Sequence, residues 1–287
     1  MGCLAEMTAH REHWETEGYI TAPGVLDAER VENLRRICDD VLQQFLVCCP
    51  EKKRPGGPND RCMRNLHRRS YFADRPDDFV FMMEAFADPE LSGIIEEILG
   101  EKVILRGTTL WFTPKTLRSP GNWHRDIQYM VDSVDEQKKF VESRAAQTGA
   151  QLMLALVPTD TNEYLPGSHL RWDTDEELQM RLEDDVVGGS RDLEGAVRVN
   201  QAPGDVAVFN ATGLHRGQYY NDVPRCTAMI TYTTEKVPVE DYFSYAPWCL
   251  EPGYLDGMNE QSRAFYQRYI ECYTEFWVRK AGGVRLG

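Results

Sequence analysis

The fold is decided by one short segment, Pro203-Gly204-Asp205-Val206-Ala207-Val208-Phe209-Asn210. Pro-Gly-Asp is a turn signal, because proline fixes φ and glycine adopts backbone conformations that other residues avoid. Val206–Phe209 is a short run of β-branched and aromatic residues, which is typical of a strand. Continued to His215, the segment therefore predicts a turn, a strand, a second turn and a second strand, as in an antiparallel β protein.

Further segments share this composition. They are short, rich in β-branched and aromatic residues, and bounded by Gly, Pro, Asn or Asp. They are Val103–Leu105, Thr108–Thr113, Gln151–Val157, Ala196–Val199 and Thr227–Thr233. Short strands separated by turn signals predict an antiparallel sandwich or barrel.

Helical patterns lie on both sides of these strands. Asp27 is placed to cap a helix over Ala28–Leu46, and Pro89–Leu99 ends at Gly100, a common residue after a helix. Asn259–Arg279 carries an apolar stripe at helical spacing, which predicts packing against the sheet. We therefore expect an α+β fold.

The expected domain organisation is a single domain over residues 1–287, a length that can bury a sizeable core. A helical N-terminal part spans about residues 1–100, a β core about 101–235, and a C-terminal helical tail about 236–287.

Charge and composition exclude several classes of protein. The formal net charge of −14 argues against a nucleic-acid or anionic-membrane binder, which would carry a basic surface. No apolar run approaches the roughly 20 residues that span a bilayer, and Met1–Trp14 lacks the features of a signal peptide. The 8 cysteines include no C-x-x-C pair, so we expect free thiols and a cytoplasmic location.

Two charged segments have open roles. The basic segment, residues 52–69, is either a solvated surface or a mouth that attracts an anionic substrate. Its basic residues are Lys52, Lys53, Arg54, Arg61, Arg64, Arg68 and Arg69. The acidic segment, residues 173–193, is an insert or a lid.

The residues that can carry chemistry begin at His124-Arg125-Asp126. Residues two apart on a strand project to one face, so His124 and Asp126 can meet one ion. With His215 they give the two imidazoles and one carboxylate that suit iron(II) and leave positions for a bidentate cosubstrate and O₂. Zinc fits less well, because the cysteines have no suitable spacing. The competing interpretations are that His124 and Asp126 are only a hydrogen-bonded pair and that His215 is an ordinary core or surface histidine.

Arg225 follows His215 just before a predicted strand. A buried arginine there can form a bidentate pair with a carboxylate. Together with iron(II), it suits a cosubstrate that has an α-keto acid at one end and a carboxylate at the other. The competing interpretation is an ordinary salt bridge at a strand edge.

In their order along the chain these motifs resemble the phytanoyl-CoA dioxygenase family of iron(II)- and 2-oxoglutarate-dependent oxygenases. The resemblance extends from about Thr16 to Thr234 and implies a double-stranded β-helix, or cupin-like jelly roll. The matching segments are Gly18-Tyr19-Ile20, Trp123-His124-Arg125-Asp126, Leu165-Pro166-Gly167-Ser168-His169, Pro203-Gly204-Asp205, His215 and Arg225. The segment before Pro166 departs from the family, because Thr161-Asn162-Glu163-Tyr164 lacks the usual Asn-Gly.

The resemblance assigns roles residue by residue. The implied iron ligands are His124, Asp126 and His215. The implied cosubstrate contacts are Arg225 on the distal carboxylate of 2-oxoglutarate, Thr227 as a hydroxyl helper, Asn122 and Lys115. The residues expected near the pocket are Trp111, Tyr129, Met130 and Gln151, whereas His169 matches a structural position.

The implied activity is oxidation, most simply hydroxylation, of a C–H bond in a small organic substrate, with succinate and CO₂ as co-products. Desaturation, cyclisation, epimerisation and endoperoxide formation stay open, because the same ligands serve them all. A cupin-like metal enzyme that does not use 2-oxoglutarate and a non-catalytic jelly-roll binding module stay open as well. Substrate identity and oligomeric state are open.

Overall fold

The computed structural model describes residues 2–48, 60–116, 118–143, 148–182 and 191–282. Lys52, Lys53 and Arg54 of the basic segment, and residues 183–190 of the acidic segment, lie outside these ranges. The strands are β1 (Tyr19–Ala22), β2 (Cys62–Arg64), β3 (Val103–Phe112), β4 (Arg118–Pro120), β5 (Gly149–Ala155), β6 (Thr159–Tyr164), β7 (Val197–Gln201), β8 (Val206–Phe209), β9 (His215–Tyr220) and β10 (Cys226–Thr234).

The strands form two antiparallel sheets. The 6-stranded sheet has the order β1-β8-β5-β10-β3-β2, and the 4-stranded sheet has the order β4-β9-β6-β7. Side chains from both sheets line one cavity, so the sheets face each other as the two layers of a jelly roll. The predicted fold class, an α+β jelly roll with flanking helices, is confirmed.

Of the described helices, the first precedes all the strands, the last follows them, and the five others lie in connections between strands. They are α1 (Gly2–Glu17), α2 (Ala28–Cys48), α3 (Pro76–Phe86), α4 (Pro89–Leu99), α5 (Val134–Glu142), α6 (Asp175–Leu182) and α7 (Glu260–Ala281). None of the described helices is long and apolar enough to cross a membrane.

Local signals set several helix ends where the sequence predicts them. The Asp27 carboxylate accepts a hydrogen bond from the Arg30 amide at 2.9 Å and so caps α2. Gly100 ends α4 in the left-handed conformation with φ 69°. Asn259 caps α7, and the predicted stripe of that helix is confirmed. Its members Tyr266, Tyr269, Tyr273 and Phe276 are fully buried, and Ile270 packs against the same cluster.

The predicted strands that pack against the apolar core are confirmed, whereas β1 and β2 also contribute to that core and were not predicted. The predicted strands Val103–Leu105 and Thr108–Thr113 are one strand, β3, with a register shift opposite Thr231 and Tyr232. The strands β6 and β9 have the sequences TDTNEY and HRGQYY, which give no hydrophobic alternation. They are polar because they line the cavity, so the usual strand signal is absent.

The strand β10 shows how one element serves both sides of its sheet. Successive side chains of a strand point to opposite faces. Ala228 and Ile230 are buried in the main apolar core, which contacts the helices. Met229, and Arg225 immediately before the strand, point the other way and line the cavity. Residues that stabilise the fold and residues that form the site therefore alternate along the same strand.

A buried ionic network joins the loops around the cavity. Arg125 has a fully buried side chain that donates to Asp173 at 2.7 Å and to the Ser168 carbonyl at 2.9 Å. Arg125 also donates to the Thr212 carbonyl. Arg181 donates to the other oxygen of Asp173 at 2.9 Å. Asp173 therefore neutralises two buried cations and fixes the loop that carries Arg125.

We predict that Asp173→Asn lowers the free energy of unfolding by about 3–5 kcal/mol, because it leaves two buried guanidinium groups without their counter-charge. Urea-induced unfolding measures this loss. Asp175→Asn is the matched control, since Asp175 is exposed in the first turn of α6. Equal stabilities for the two variants would contradict the role assigned to the network.

Candidate active site

Two backbone hydrogen bonds bring the predicted histidines together. The His124 amide donates to the His215 carbonyl, and the His215 amide donates to the His124 carbonyl, both at 3.0 Å. The two imidazole rings are consequently only 4.2 Å apart between centroids. His215 opens β9, whereas His124 lies in an isolated bridge beside it.

Asp126 joins the pair by a different local geometry from the predicted one. It does not continue a strand but begins a 3₁₀ turn, Asp126–Tyr129. Its amide donates to the Ala211 carbonyl at 2.9 Å, which fixes the start of the turn. Its Oδ1 lies 3.6 Å from His124 Nε2 and 3.5 Å from His215 Nε2. The three side chains converge as predicted.

The backbone fixes the tautomer of both histidines. His124 Nδ1 lies 2.8 Å from the Asn122 carbonyl, and His215 Nδ1 lies 3.0 Å from the Gly213 carbonyl. A carbonyl oxygen only accepts, so each Nδ1 carries the proton and donates. Each Nε2 therefore presents its lone pair toward Asp126 and the cavity, as a metal ligand must.

The charge states of the ligands also suit a cation. Burial, together with the neighbouring His215, lowers the pKa of His124 to about 4, so its imidazole is neutral at pH 7. Burial opposes ionisation of Asp126, but interactions with His215 and His124 outweigh it and lower the pKa of the carboxyl to about 2. The Gln151 amide donates to Asp126 Oδ2 and holds the carboxylate in place.

This donor set fits iron(II). Among the described residues, His124, Asp126 and His215 are the group of His, Cys, Asp or Glu side chains that can hold a metal, with ligand atoms within 4.8 Å of one another. Two imidazoles and one carboxylate on one side of an ion are the ligands of non-haem iron(II) oxygenases. No cysteine takes part, which disfavours a structural zinc site.

A cavity of about 330 Å³ between the sheets opens onto these ligands. Trp111, Tyr129 and Gln151 line it, as predicted. Met130 does not, and lines a neighbouring cavity of about 70 Å³ instead. Apolar wall is supplied by Met153 and other side chains of a small cluster between the sheets.

Arg225 is a buried cation in the wall of this cavity. Its side chain donates to Asn162 Oδ1 at 3.0 Å and to the Gln218 carbonyl at 3.3 Å, and it lies 5.2 Å from the Trp111 ring centroid. None of the described carboxylates forms an ion pair with it. Burial lowers the pKa of its guanidinium. A buried charge without a counter-charge is unfavourable, so this position favours an anionic ligand.

Two unsatisfied polar atoms belong to this pair of side chains. Arg225 Nε and Asn162 Nδ2 are buried and have no hydrogen-bond partner among the described residues. Buried polar groups are normally hydrogen-bonded, so these two donors indicate a ligand, and they fit the distal carboxylate of 2-oxoglutarate. Thr227 Oγ1 is likewise buried and unpartnered, but Thr227 is not part of the cavity wall.

The other predicted cosubstrate contacts are not brought to the cavity. Lys115 is exposed beyond the end of β3 and does not line the cavity. Asn122 contributes its carbonyl to His124, but its side chain is not part of the cavity wall. Both assignments came from matching positions in loops, and the path of a loop is not fixed by such a match. His169 is buried outside the cavity, as its structural assignment implies.

Several cavity residues were not assigned from the sequence, and those around Arg225 are Asn162, Gly217 and Tyr219. Gly217 is required by a close approach, because a Cβ there would lie 2.7 Å from the Tyr219 hydroxyl and 3.2 Å from Arg225 Nη1. Alternate residues of a strand project to the same face, so counting in twos along β9 from His215 would have placed Gly217 and Tyr219 on the same face as His215. Asn162 gave no comparable signal.

Comparisons with known proteins agree with this site. The family model for phytanoyl-CoA dioxygenase matches residues 14–219, which include all three candidate iron ligands. No curated protein matches the sequence significantly.

Solved structures of low sequence identity share the fold. EctD from S. alaskensis, determined with 2-oxoglutarate and 5-hydroxyectoine, is 19% identical, with 89% of this chain and 86% of that chain covered and a TM-score of 0.60. The non-heme alpha ketoglutarate dependent epimerase SnoN from nogalamycin biosynthesis is 18% identical, with 81% and 84% covered and a TM-score of 0.54. The carbocyclase SnoK from the same biosynthesis is 18% identical, with 79% and 83% covered and a TM-score of 0.52.

The family match covers most of the chain and includes His124, Asp126 and His215. The chain belongs to the phytanoyl-CoA dioxygenase family and is an iron(II)- and 2-oxoglutarate-dependent enzyme.

Proposed function

We propose that His124, Asp126 and His215 hold iron(II), that Arg225 and Thr227 hold 2-oxoglutarate, and that the enzyme hydroxylates a C–H bond of a small organic molecule. The observation that carries the proposal is Arg225, a buried cation without a carboxylate partner in the same cavity as the three ligands. Bound iron would supply the activation of O₂ that is coupled to decarboxylation of 2-oxoglutarate.

The residues of the chain supply position and environment. The hydrogen bonds from each Nδ1 keep both Nε2 atoms directed at one point, and Gln151 orients the Asp126 carboxylate. Arg225 would fix the far end of the cosubstrate, so that its keto acid end lies toward the ligands. Apolar side chains such as Met153 and Phe209 exclude water from this part of the cavity.

Hydroxylation is proposed as the simplest outcome for this set of residues. The named activities of SnoN and SnoK show that proteins of this fold carry out epimerisation and ring closure as well. The complete donor set and the unpartnered atoms near Arg225 count against a non-catalytic binding module. We also propose a cytoplasmic location, which is consistent with the described cysteines forming no disulfide bond; they are Cys38, Cys62, Cys226, Cys249 and Cys272.

A direct test is succinate release from 2-oxoglutarate by the iron-loaded protein in air, followed by mass spectrometry of a panel of small molecules. Hydroxylation adds one oxygen atom to the substrate, whereas desaturation removes two hydrogens and epimerisation leaves the mass unchanged. Iron-independent succinate release, or none with any panel member, would count against the proposal.

We predict that His124→Ala, Asp126→Ala and His215→Ala each weaken iron(II) binding by at least about tenfold, because each removes one of three ligands. Anaerobic titration with iron(II) measures the affinity, and circular dichroism checks that the fold is intact. The control is His10→Ala, which changes a histidine outside the cavity. Unchanged iron affinity in one ligand variant would remove that residue from the proposed set.

We predict that Arg225→Ala weakens 2-oxoglutarate binding by roughly 30-fold to several thousand-fold, the equivalent of about 2–5 kcal/mol for a buried charge pair. Arg225→Lys restores part of the affinity, because an ammonium keeps the charge but lacks the planar fork. Calorimetric titration of the iron-loaded protein with 2-oxoglutarate gives both values.

The control for these variants is Arg118→Ala, which removes an exposed arginine that pairs with Asp222 outside the cavity. Iron affinity should be the same in all of them, since Arg225 is not a ligand. If Arg225→Ala bound 2-oxoglutarate as tightly as the wild type, the cosubstrate would have to bind elsewhere.

A further inference from the structure

Two further arginines, Arg61 and Arg64, line the same cavity, and we call them the mouth arginines. They lie near its opening, where Tyr129 and Tyr242 are 58% and 50% exposed. Both belong to the basic segment, whose role the sequence left open. Neither is a proposed iron ligand, and neither takes part in the hydrogen bonds of Arg225.

The strand register determines where Arg64 points. In the antiparallel pair of β2 and β3, Arg64 lies opposite Thr109, and Cys62 lies opposite Trp111. Directly opposed residues project to the same face of a sheet. Thr109 and Trp111 line the cavity, so Arg64 rises from the cavity face, while Met63 between them is buried in the core.

The charge of the mouth arginines has no counter-charge among the described residues. The carboxylates that line the cavity are Asp126 and Glu163. Asp126 lies against the two histidines, and Glu163 pairs with Arg198 and Arg216. No described carboxylate forms an ion pair with Arg61 or Arg64. In a chain of net charge −14, this leaves a cationic opening that attracts anions.

Aromatic rings hold the mouth arginines in place. The Arg61 guanidinium lies 4.5 Å from the Tyr219 ring centroid, and that of Arg64 lies 5.1 Å from the centroids of both Tyr242 and Phe243. These distances are typical of cation–π contacts, which hold each guanidinium beside its ring. A guanidinium held in this way and not paired with a carboxylate is suited to bind a carboxylate or phosphate.

Tyr219 links this position to the cosubstrate site but keeps it separate. Its ring lies near the guanidinium groups of both Arg61 and Arg225, at 4.5 and 5.5 Å. Arg225 is buried, whereas Arg61 is half-buried and Arg64 is exposed toward the opening. The cavity therefore has an inner anion position at Arg225 and an outer one at the mouth arginines.

We propose that the substrate carries an oxyanion group, a carboxylate or a phosphate, which the mouth arginines bind while the rest of the molecule extends toward His124, Asp126 and His215. This inference rests on the proposed function for the reaction itself. It adds the chemical class of the substrate and the residues that select it.

The test measures binding to the wild-type protein loaded with iron(II) and 2-oxoglutarate under nitrogen. The probes are small carboxylic acids paired with their primary amides, and phosphate monoesters paired with their parent alcohols. We expect the best-bound anions to bind at least about tenfold more tightly than their neutral partners, and Arg61→Gln or Arg64→Gln to remove most of that preference. The larger preference, for acids or for monoesters, identifies the group.

The matched control is Arg68→Gln, which makes the same change in the same segment. Arg68 lies over Trp248 and does not line the cavity, so this variant should keep the anion preference. The affinity for 2-oxoglutarate should be unchanged in all three variants.

Two results would overturn the inference. One is a wild-type protein that binds no anion better than its neutral partner. The other is a loss of 2-oxoglutarate affinity in Arg61→Gln or Arg64→Gln, which would assign that arginine to the cosubstrate. Failure of the proposed function differs from both, because the wild type would then bind neither iron nor 2-oxoglutarate. The anion preference, measured without cosubstrate, would still decide the role of the mouth arginines.

Discussion

The pair of backbone hydrogen bonds between His124 and His215 is the constraint on which the site depends. It joins a loop of the first half of the jelly roll to the start of β9. In both histidines, the carbonyl that holds Nδ1 belongs to the residue two positions earlier. The main chain thus fixes both the relative position of the two imidazoles and their tautomers. Side-chain packing contributes little to either.

The position of the third candidate ligand, Asp126, depends on a different kind of contact. Arg125 stands between His124 and Asp126, and its guanidinium is held by Asp173 and by carbonyl oxygens of other loops. A buried ion network of this sort fixes one geometry because every donor must keep its acceptor. The residue between the two ligands therefore determines where the loop places Asp126, although it never reaches the cavity.

The elements that the sequence predicts well are those whose signals are local or face the apolar core. The caps at Asp27 and Gly100 depend on neighbouring backbone groups, and β8 packs apolar side chains on the core. The converging histidines could be anticipated from motif order. The strand β6 could not, because its residues are mostly polar and several of them line the cavity.

Other features depend on pairing between distant strands. The contact of Asn162 with Arg225 exists because β6 pairs with β9 and the cavity closes over both, which a local pattern cannot reveal. Lys115 shows that a matching sequence position can also mislead. Its role was assigned from such a match, but the path of the loop leaves the residue exposed. The turn at Asp126 replaces the expected strand because its amide bonds to Ala211 rather than to a neighbouring strand.

The position of β2 has a consequence for how this enzyme can diverge. In the described sheet β2 is the last strand and pairs with β3 alone, whereas β10, which carries Met229 on the cavity face, is paired on both sides. Substitutions on the cavity face of a terminal strand disturb one neighbour and leave the inner ladder intact. Substitutions on β2 can therefore change which substrate the enzyme binds while the inner strands keep their pairing. Substrate recognition can evolve in this way without a change in the residues proposed for catalysis.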